Sequence, residues 1–218
     1  MIQLTRSGLV AGCEEEVETL REEFDNHHCV RLRQLLAPEL LRLVQLQIAG
    51  TEFHERTYHA SVNPPPVALS MSAGGTAFAL LRFLVNNHQL FHVVRQITGI
   101  GRIGCVEGEV YRMVPGLGHS DCWHDDLGRG RMLSMAINLS TETYCGGVLQ
   151  IREVETGRIV HEVANTGFGD AVLFRIGPHL EHRVTPVEGA AARTVFAAWF
   201  FAEPDYRSWY QKDLAAPI

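Results

Sequence analysis

The sequence predicts a mainly β protein of the α+β class: helices in the first half, packed on one sheet of an antiparallel sandwich or barrel built from the second. Three observations predict it. Before Gly104, apolar residues recur at helical spacing between proline and glycine stops. From Gly104 onward, six short β-rich runs follow one another with glycine or proline between them. No internal repeat or low-complexity tract breaks either half. Helices grouped ahead of such strands pack on one face of a sheet rather than alternating with its strands.

The elements follow in order. Val17, Leu20 and Phe24 stand at i, i+3 and i+7 among acidic residues, one stripe of an amphipathic helix. Cys29 to Leu35 sets Val30 and Leu32 against Arg31 and Arg33, a short first strand. Pro38 opens a helix that runs to about Ala49 and stops at Gly50. Asn63-Pro64-Pro65-Pro66 must be extended, because each proline fixes its own φ and restricts its predecessor; it reads as a rigid connector. Gly75 to Gly99 reads as two helices, with Leu80, Leu81, Leu84 and Val85 on the first and Leu90, Val94 and Ile97 on the second. Asn86-Asn87 ends one and caps the other, Gly99 stops the second, and His88 and His92 decorate it. The strands expected after Gly104 are Glu109–Val114, Arg131–Ser140, Val148–Arg152, Asp170–Ile176, Glu181–Val187 and Arg193–Phe201.

At 218 residues, and with domains of ~150 residues typical, a single domain is expected. It divides into a helical support region over 1–103, a β-rich core over 104–203 and a tail over 204–218. Lys plus Arg number 19 against 25 Asp plus Glu, a formal net charge of −6. A general nucleic-acid binder needs a basic face to displace counterions from phosphates, so none is expected. No apolar run reaches the ~20 residues of a membrane span, and Met1 to Glu16 lacks the apolar core of a secretory signal. The five cysteines are odd in number, widely spaced and without a CxxC pair. This argues against a disulfide framework or thiolate zinc site and for a reducing, cytoplasmic setting. Oligomeric state leaves no signature in the sequence.

With 11 histidines, spacing must decide which matter. Trp123-His124-Asp125-Asp126 holds His-x-Asp just ahead of a strand, and in an extended segment residues i and i+2 point to one side. His124 and Asp126 can thus offer an imidazole and a carboxylate to one metal ion, with His182 from a later strand as third ligand. Two histidines and a carboxylate form the facial triad of non-haem Fe(II) oxygenases, with three open positions on the metal. His119-Ser120-Asp121 and His179 compete for these roles. The context of His182 favours it: Val184-Thr185-Pro186-Val187 and a glycine turn lead to Arg193, at the start of what reads as the neighbouring antiparallel strand. Arg193 shares a face with Val195, Ala197 and Trp199, while Phe196, Ala198 and Phe200 take the other, so the strand is buried and its guanidinium needs an anion. A carboxylate supplies one through a bidentate fork; a structural Arg–Asp or Arg–Glu bridge is the plainer alternative. In Arg131–Ser140 one face is apolar (Leu133, Met135, Ile137, Leu139) and the other small and polar (Ser134, Ala136, Asn138), as in a barrel that encloses a polar ligand. The same small face could equally meet solvent. Asn138 is a candidate ligand donor, and so is Tyr111, which could equally be a structural core tyrosine.

These residues resemble the 2-oxoglutarate/Fe(II)-dependent oxygenase superfamily in its prolyl-4-hydroxylase-like branch. Tyr111-Arg-Met-Val-Pro-Gly, His124-Asp125-Asp126, Gly146-Gly147-Val148-Leu149, Gly169-Asp170-Ala-Val-Leu-Phe174, His182-Arg-Val-Thr-Pro-Val and Arg193 follow that family's order and spacing over roughly Gly104 to Phe201. Cys29 to Ile48 resembles, more weakly, the strand and helix ahead of the core. The resemblance implies a double-stranded β-helix (jelly roll) with Fe(II) at His124, Asp126 and His182. It implies 2-oxoglutarate with its distal carboxylate on Arg193 and Tyr111 and Asn138 nearby, and O2 as oxidant. Some relatives carry Arg-x-Ser, but Val195 stands two residues after Arg193 here, so another donor must serve. The implied reaction hydroxylates a C–H bond and yields succinate and CO2; halogenating relatives lack the carboxylate that Asp126 provides. A cupin-like binding module or a zinc hydrolase could use the same three ligands, but neither has a general need for Arg193. The substrate, small molecule or peptide, would meet loops such as Thr57–Ser72 and Gly116–Trp123. Arg129 or Arg131 could meet an acidic substrate, or simply be solvated.

Overall fold

The structure, a computed structural model, describes residues 1–58, 66–72, 75–128, 130–164 and 167–206. Asn63-Pro64-Pro65, Arg129 and the tail from 207 lie outside the described residues. The chain opens with a hairpin, β1 (Gln3–Thr5) and β2 (Gly8–Val10), followed by α1 (Glu14–His27), β3 (Cys29–Leu32) and α2 (Pro38–Ala49). A second hairpin, β4 (Phe53–Thr57) and β5 (Val67–Met71), precedes α3 (Thr76–Val85) and α4 (His88–Thr98). Then come β6 (Cys105–Met113), β7 (Arg131–Asn138), β8 (Cys145–Gly146), β9 (Leu149–Glu153), β10 (Ile159–Val163), β11 (Ala171–Arg175), β12 (Leu180–Val184), β13 (Val187–Glu188) and β14 (Arg193–Phe201).

The helix ends follow their residues. Pro38 is the first residue of α2, where its missing N–H costs nothing. Asn87 caps α4, its side-chain oxygen accepting from the backbone N–H groups of Gln89 and Leu90 at 2.8 and 3.2 Å. Gly99, at φ 68°, ends α4 and donates to the Arg95 carbonyl.

Two sheets face each other in the β-rich half. The large one has seven strands in the order β3-β11-β7-β14-β6-β5-β4, and the small one has three, β10-β9-β12. Every strand pair in them is antiparallel. This is the jelly roll. One face of the large sheet, with Leu133, Met135 and Ile137 of β7 and Phe196, Ala198 and Phe200 of β14, packs on Leu81, Leu90, Val94 and Ile97 of the helices. Fully burying each large apolar side chain contributes about 1.5–3 kcal/mol. Gly108 of β6 is part of that fit: a Cβ there would stand 2.7 Å from the Phe196 ring and 2.5 Å from the Ala197 carbonyl oxygen. The other face meets the small sheet across a second apolar cluster, including Val172, Phe174, Leu149, Ile151, Leu180 and Val184. The alternation read in β7 and β14 therefore separates a helix side from an interior side.

The structure departs from the sequence reading at several elements. The support region contains the strands of two unexpected hairpins besides β3. β4 reads Phe-His-Glu-Arg-Thr and is almost wholly exposed, so no apolar alternation marks it, yet β5 joins it to the large sheet through β6. β10, Ile-Val-His-Glu-Val, is a half-exposed edge strand whose apolar residues do not alternate strictly, so its strand signal is weak too. β6 begins at Cys105, four residues ahead of the expected Glu109, and the predicted strand Glu181–Val187 divides into β12 and β13. Finally, β14 does not pair with the His182 strand: β12 pairs with β9 in the small sheet, while β14 lies between β6 and β7 in the large one. The turn between them is a crossover from one sheet to the other, so His182 and Arg193 approach through the interior. Among the described residues, no helix is long and apolar enough to cross a membrane.

Candidate active site

His124, Asp126 and His182 converge inside the jelly roll, with their potential ligand atoms all within 4.8 Å of one another. His182 points inward from β12, and the His124 segment is laid along that strand by reciprocal backbone hydrogen bonds of 3.0 and 2.8 Å. His124 Nδ1 lies 2.8 Å from the Cys122 carbonyl oxygen, so it carries the proton as donor and leaves Nε2 facing the centre. A backbone carbonyl on the remote nitrogen is the usual way a metal-binding histidine is oriented. His124 Nε2 is 3.5 Å from Asp126 Oδ1, and His182 Nε2 is 3.4 Å from Oδ2. Adjacent ligands of an octahedral ion with bonds of ~2.1 Å lie roughly 3 Å apart, so this set fits a small divalent cation after a shift of a few tenths of an ångström. Asp126 has φ 58°, in the left-handed region. A tight turn, rather than strand alternation, therefore puts its carboxylate on the side of His124.

Three side chains hold that carboxylate. Arg131 Nη1 donates to Oδ1 at 2.9 Å, and Ser134 Oγ and Trp199 Nε1 donate to Oδ2 at 3.0 and 2.6 Å. The Arg131 guanidinium also lies over the Trp199 ring, 3.8 Å from its centroid. Arg131 is thus committed to Asp126, and its expected choices, an acidic substrate or solvent, are both replaced. Burial raises the Asp126 pKa, but the hydrogen bonds from His124 and His182, with the His124 charge, outweigh it and hold the carboxyl well below its usual range. Burial lowers His124, and the Asp126 and Asp121 carboxylates reverse this and bring it up to about 9. In wholly buried His182 desolvation dominates and its pKa falls, with the neighbouring charge of His124 in the same direction. In the metal-free cluster the positive charge therefore sits on the His124 imidazolium rather than on His182.

A cavity of about 240 Å³ connects this cluster to Arg193. Arg193 is 8% exposed, and among the described residues its guanidinium meets no carboxylate and donates to no protein acceptor. Gly147 makes room for it: a Cβ there would stand 2.7 Å from Arg193 Cδ, and its φ of 59° already favours glycine. Val195, two residues on, is flanked across the sheet by Tyr111 of β6 and Asn138 of β7. Paired residues share a face, so a phenol and an amide border the position where Val195 has no hydroxyl. Asn138 lines a separate small pocket of about 20 Å³ with Tyr144 and Arg193, and its Oδ1 accepts from the Ser140 N–H at 3.0 Å. Burial and the nearby Glu109 carboxylate push the Tyr111 pKa far up, so its phenol stays protonated.

The other expected candidates fall elsewhere. His119 is buried and accepts from the Val114 N–H at 2.9 Å, a loop-fixing role, while His179 is exposed on a turn. Sequence reading placed Trp199 and Ser134 on the interior faces but did not assign them to Asp126, because the contacts span 73 and 8 residues. It missed Tyr58, whose ring meets that of Tyr111 edge-on at 5.1 Å. Beyond Trp199 and Arg131 a wider groove of about 670 Å³ opens, bordered by the Arg56–Glu109 ion pair, Glu107 and Phe201.

Residues 108–201 match the family model described as the 2OG-Fe(II) oxygenase superfamily. Among solved structures, a Trichoplax adhaerens prolyl hydroxylase in complex with a hypoxia-inducible-factor oxygen degradation domain peptide is 18% identical, with a TM-score of 0.66 over 94% of each chain. A Pseudomonas putida prolyl-4-hydroxylase is 19% identical, with a TM-score of 0.60 over 86% of this chain and 100% of its own. The epimerase SnoN, in complex with Fe3+, alpha-ketoglutarate and nogalamycin RO, is 12% identical, with a TM-score of 0.60 over 87% of this chain and 84% of its own. No curated protein sequence matches the chain. Residues 108–201 thus resemble the 2OG-Fe(II) oxygenase superfamily, and the chain shares its fold with solved prolyl hydroxylases and with the epimerase SnoN.

Proposed function

We propose that this enzyme hydroxylates an unactivated C–H bond of a peptide side chain or small molecule, with succinate and CO2 as co-products. His124 and His182 hold Fe(II) through Nε2 and Asp126 through a carboxylate oxygen. Arg193 grips the distal carboxylate of 2-oxoglutarate, with Tyr111 and Asn138 as the neighbouring donors. The observation that carries this reading is Arg193: a buried cation that meets no protein anion among the described residues, on the wall of a cavity that also contains the two imidazoles and the carboxylate. An isolated charge in such a place is costly unless a ligand meets it, and a dicarboxylic acid reaching towards the metal does so.

When bound, iron supplies the redox chemistry with O2. The chain's own residues bind, orient and exclude water. Arg193 sets the depth of the cosubstrate, so that its keto-acid end faces the triad. Leu149, Phe174 and Val184 form an apolar wall that keeps bulk water away. Trp199, Ser134 and Arg131 hold the Asp126 carboxylate in one orientation. The groove beyond Trp199 is where the substrate would lie, and its size suits a peptide segment or a bulky small molecule. The five free cysteines support a reducing, cytoplasmic setting and a single domain without disulfide staples.

The test is a substrate screen read by succinate formation that requires both Fe(II) and 2-oxoglutarate, followed by mass spectrometry for the gain of one oxygen. A weak visible charge-transfer band on adding Fe(II) and 2-oxoglutarate without oxygen is expected in the unmodified protein and should disappear in His182→Ala. Persistence of that band in the variant would overturn the ligand assignment.

A further inference from the structure

The stretch from Val114 to Gly130 joins β6 to β7 and carries His124 and Asp126, yet its described residues form no strand. Its second half is tied to the edge of the small sheet. The Asp121 N–H donates to the Val184 carbonyl at 3.1 Å, and His124 and His182 exchange both backbone bonds. Side chains alternate along such an extended edge. With His124 turned in towards the triad, Trp123 turns out.

On that outer face the guanidinium carbons of Arg152 and Arg183 lie over the Trp123 ring, 4.2 and 4.6 Å from its centroid. Neither arginine is loose. Arg152 donates to Glu181 Oε2 through Nε at 2.8 Å and Nη2 at 2.6 Å, and Arg183 Nε donates to Gln150 Oε1 at 2.7 Å. These contacts join directly opposed residues of β9 and β12, Arg152 with Glu181 and Gln150 with Arg183. A hydrogen-bonded lattice on the back of the sheet therefore engages the aromatic ring next to His124, while the front of the same sheet presents His182. Trp123 belongs to neither apolar cluster, so its ring serves the edge rather than the core.

We infer that Trp123, held by Arg152 and Arg183, is a latch that positions His124 for the metal. These are positioning residues: none touches the triad centre, and each acts through the backbone of residues 121–124. The inference rests on the reading of His124 and His182 as ligands. It deepens that reading by naming what fixes the weaker-anchored histidine, the one on a loop.

The experiment measures Mn(II) binding to the full chain, with Mn(II) as a redox-stable probe and the free ion followed by its electron paramagnetic resonance signal. Trp123→Ala should weaken Mn(II) binding about tenfold or more, the scale on which outer partners of ligands act. Its metal-free melting temperature should fall by only about 2–8 °C, the scale of losing two cation–π contacts in a protein of this size. Trp123→Phe keeps a ring for the guanidiniums and should recover most of the affinity. Arg183→Gln, which leaves Trp123 and the core untouched, should weaken binding about threefold or more; it serves if Trp123→Ala does not fold. Trp123→Ala or Arg183→Gln binding Mn(II) as tightly as the unmodified protein, while His124→Ala does not bind it, would overturn the latch alone. Equal binding by the unmodified protein and His124→Ala, or binding by neither, would overturn the ligand assignment and the latch with it.

Discussion

Replacing Arg193 with Met should separate ligand affinity from stability in opposite directions. Removing one partner of a buried, hydrogen-bonded charge pair costs about 2–5 kcal/mol. At 1.36 kcal/mol per tenfold, this is about 30-fold to about 5,000-fold in the dissociation constant of 2-oxoglutarate. The upper part of the range requires that the carboxylate find no other cation, and on the wall of this cavity Arg56 and Arg131 are committed to Glu109 and Asp126. The ligand-free protein should gain. At 8% exposure and without a protein counter-ion, the guanidinium is a desolvated charge without compensation. Its replacement by an apolar chain of similar length should stabilise the fold by about 1–2 kcal/mol, the low end for removing buried charge, since the group borders a cavity. That amounts to about 2–8 °C in melting temperature. Anaerobic calorimetric titration of 2-oxoglutarate into Mn(II)-loaded protein gives the first quantity, and thermal unfolding of the metal-free, ligand-free protein gives the second. An unchanged affinity would refute the anchoring role. A large fall in the stability of the ligand-free variant would show that Arg193 already has an internal partner.

Three further outcomes follow from the same site. Trp199→Phe removes the 2.6 Å donor to Asp126 Oδ2; losing a hydrogen bond to a charged group, about 1.5–3 kcal/mol, should weaken Mn(II) binding at least tenfold in a direct titration. Gly147→Ala forces a Cβ to 2.7 Å from Arg193 Cδ at φ 59°, so thermal unfolding should show a loss of about 1 kcal/mol or more and 2-oxoglutarate affinity should drop with it. His124, raised from 6.5 to about 9, holds a proton in the metal-free fold. Its stabilising contribution is complete below pH 6.5 and fades as pH rises through about 9, while metal must displace that proton. Mn(II) affinity should therefore climb between pH 6.5 and 9, and calorimetry in buffers of different ionisation enthalpy should record net proton release at pH 7.

What could be read in advance was whatever local chemistry decides. Asn87 and Gly99 bound α4 because a cap oxygen and a left-handed residue satisfy groups within one turn. β7 and β14 announced their two faces because alternation on a buried sheet is enforced at every residue. What was hidden depended on distant partners. β4 is polar after Phe53, and its identity as a strand comes from β5, which in turn depends on pairing with β6 some 40 residues later. The step from β12 to β14 looked like a hairpin because the intervening residues are few and turn-forming; only the burial of both strands in different layers makes it a crossover. At the site, the set of His124, Asp126, His182 and Arg193 was visible as residue types at suggestive spacing, but the reasoning from strand alternation failed at Asp126, where the backbone turns left-handed. The grip of Trp199 on that carboxylate had no local signal.

The reciprocal bonds between His124 and His182, and the reach of Trp199 across to Asp126, also determine when the cluster can exist. His182 and Trp199 complete it from more than 50 residues away, so an unfolded or half-closed chain offers the ion no comparable place. A cation that binds the closed form alone adds ~1.4 kcal/mol to folding for every tenfold by which its free concentration exceeds the dissociation constant. Loaded and unloaded chains would then differ in lifetime as well as in activity: the same closure that creates the reactive centre makes metal supply a determinant of how long the molecule lasts.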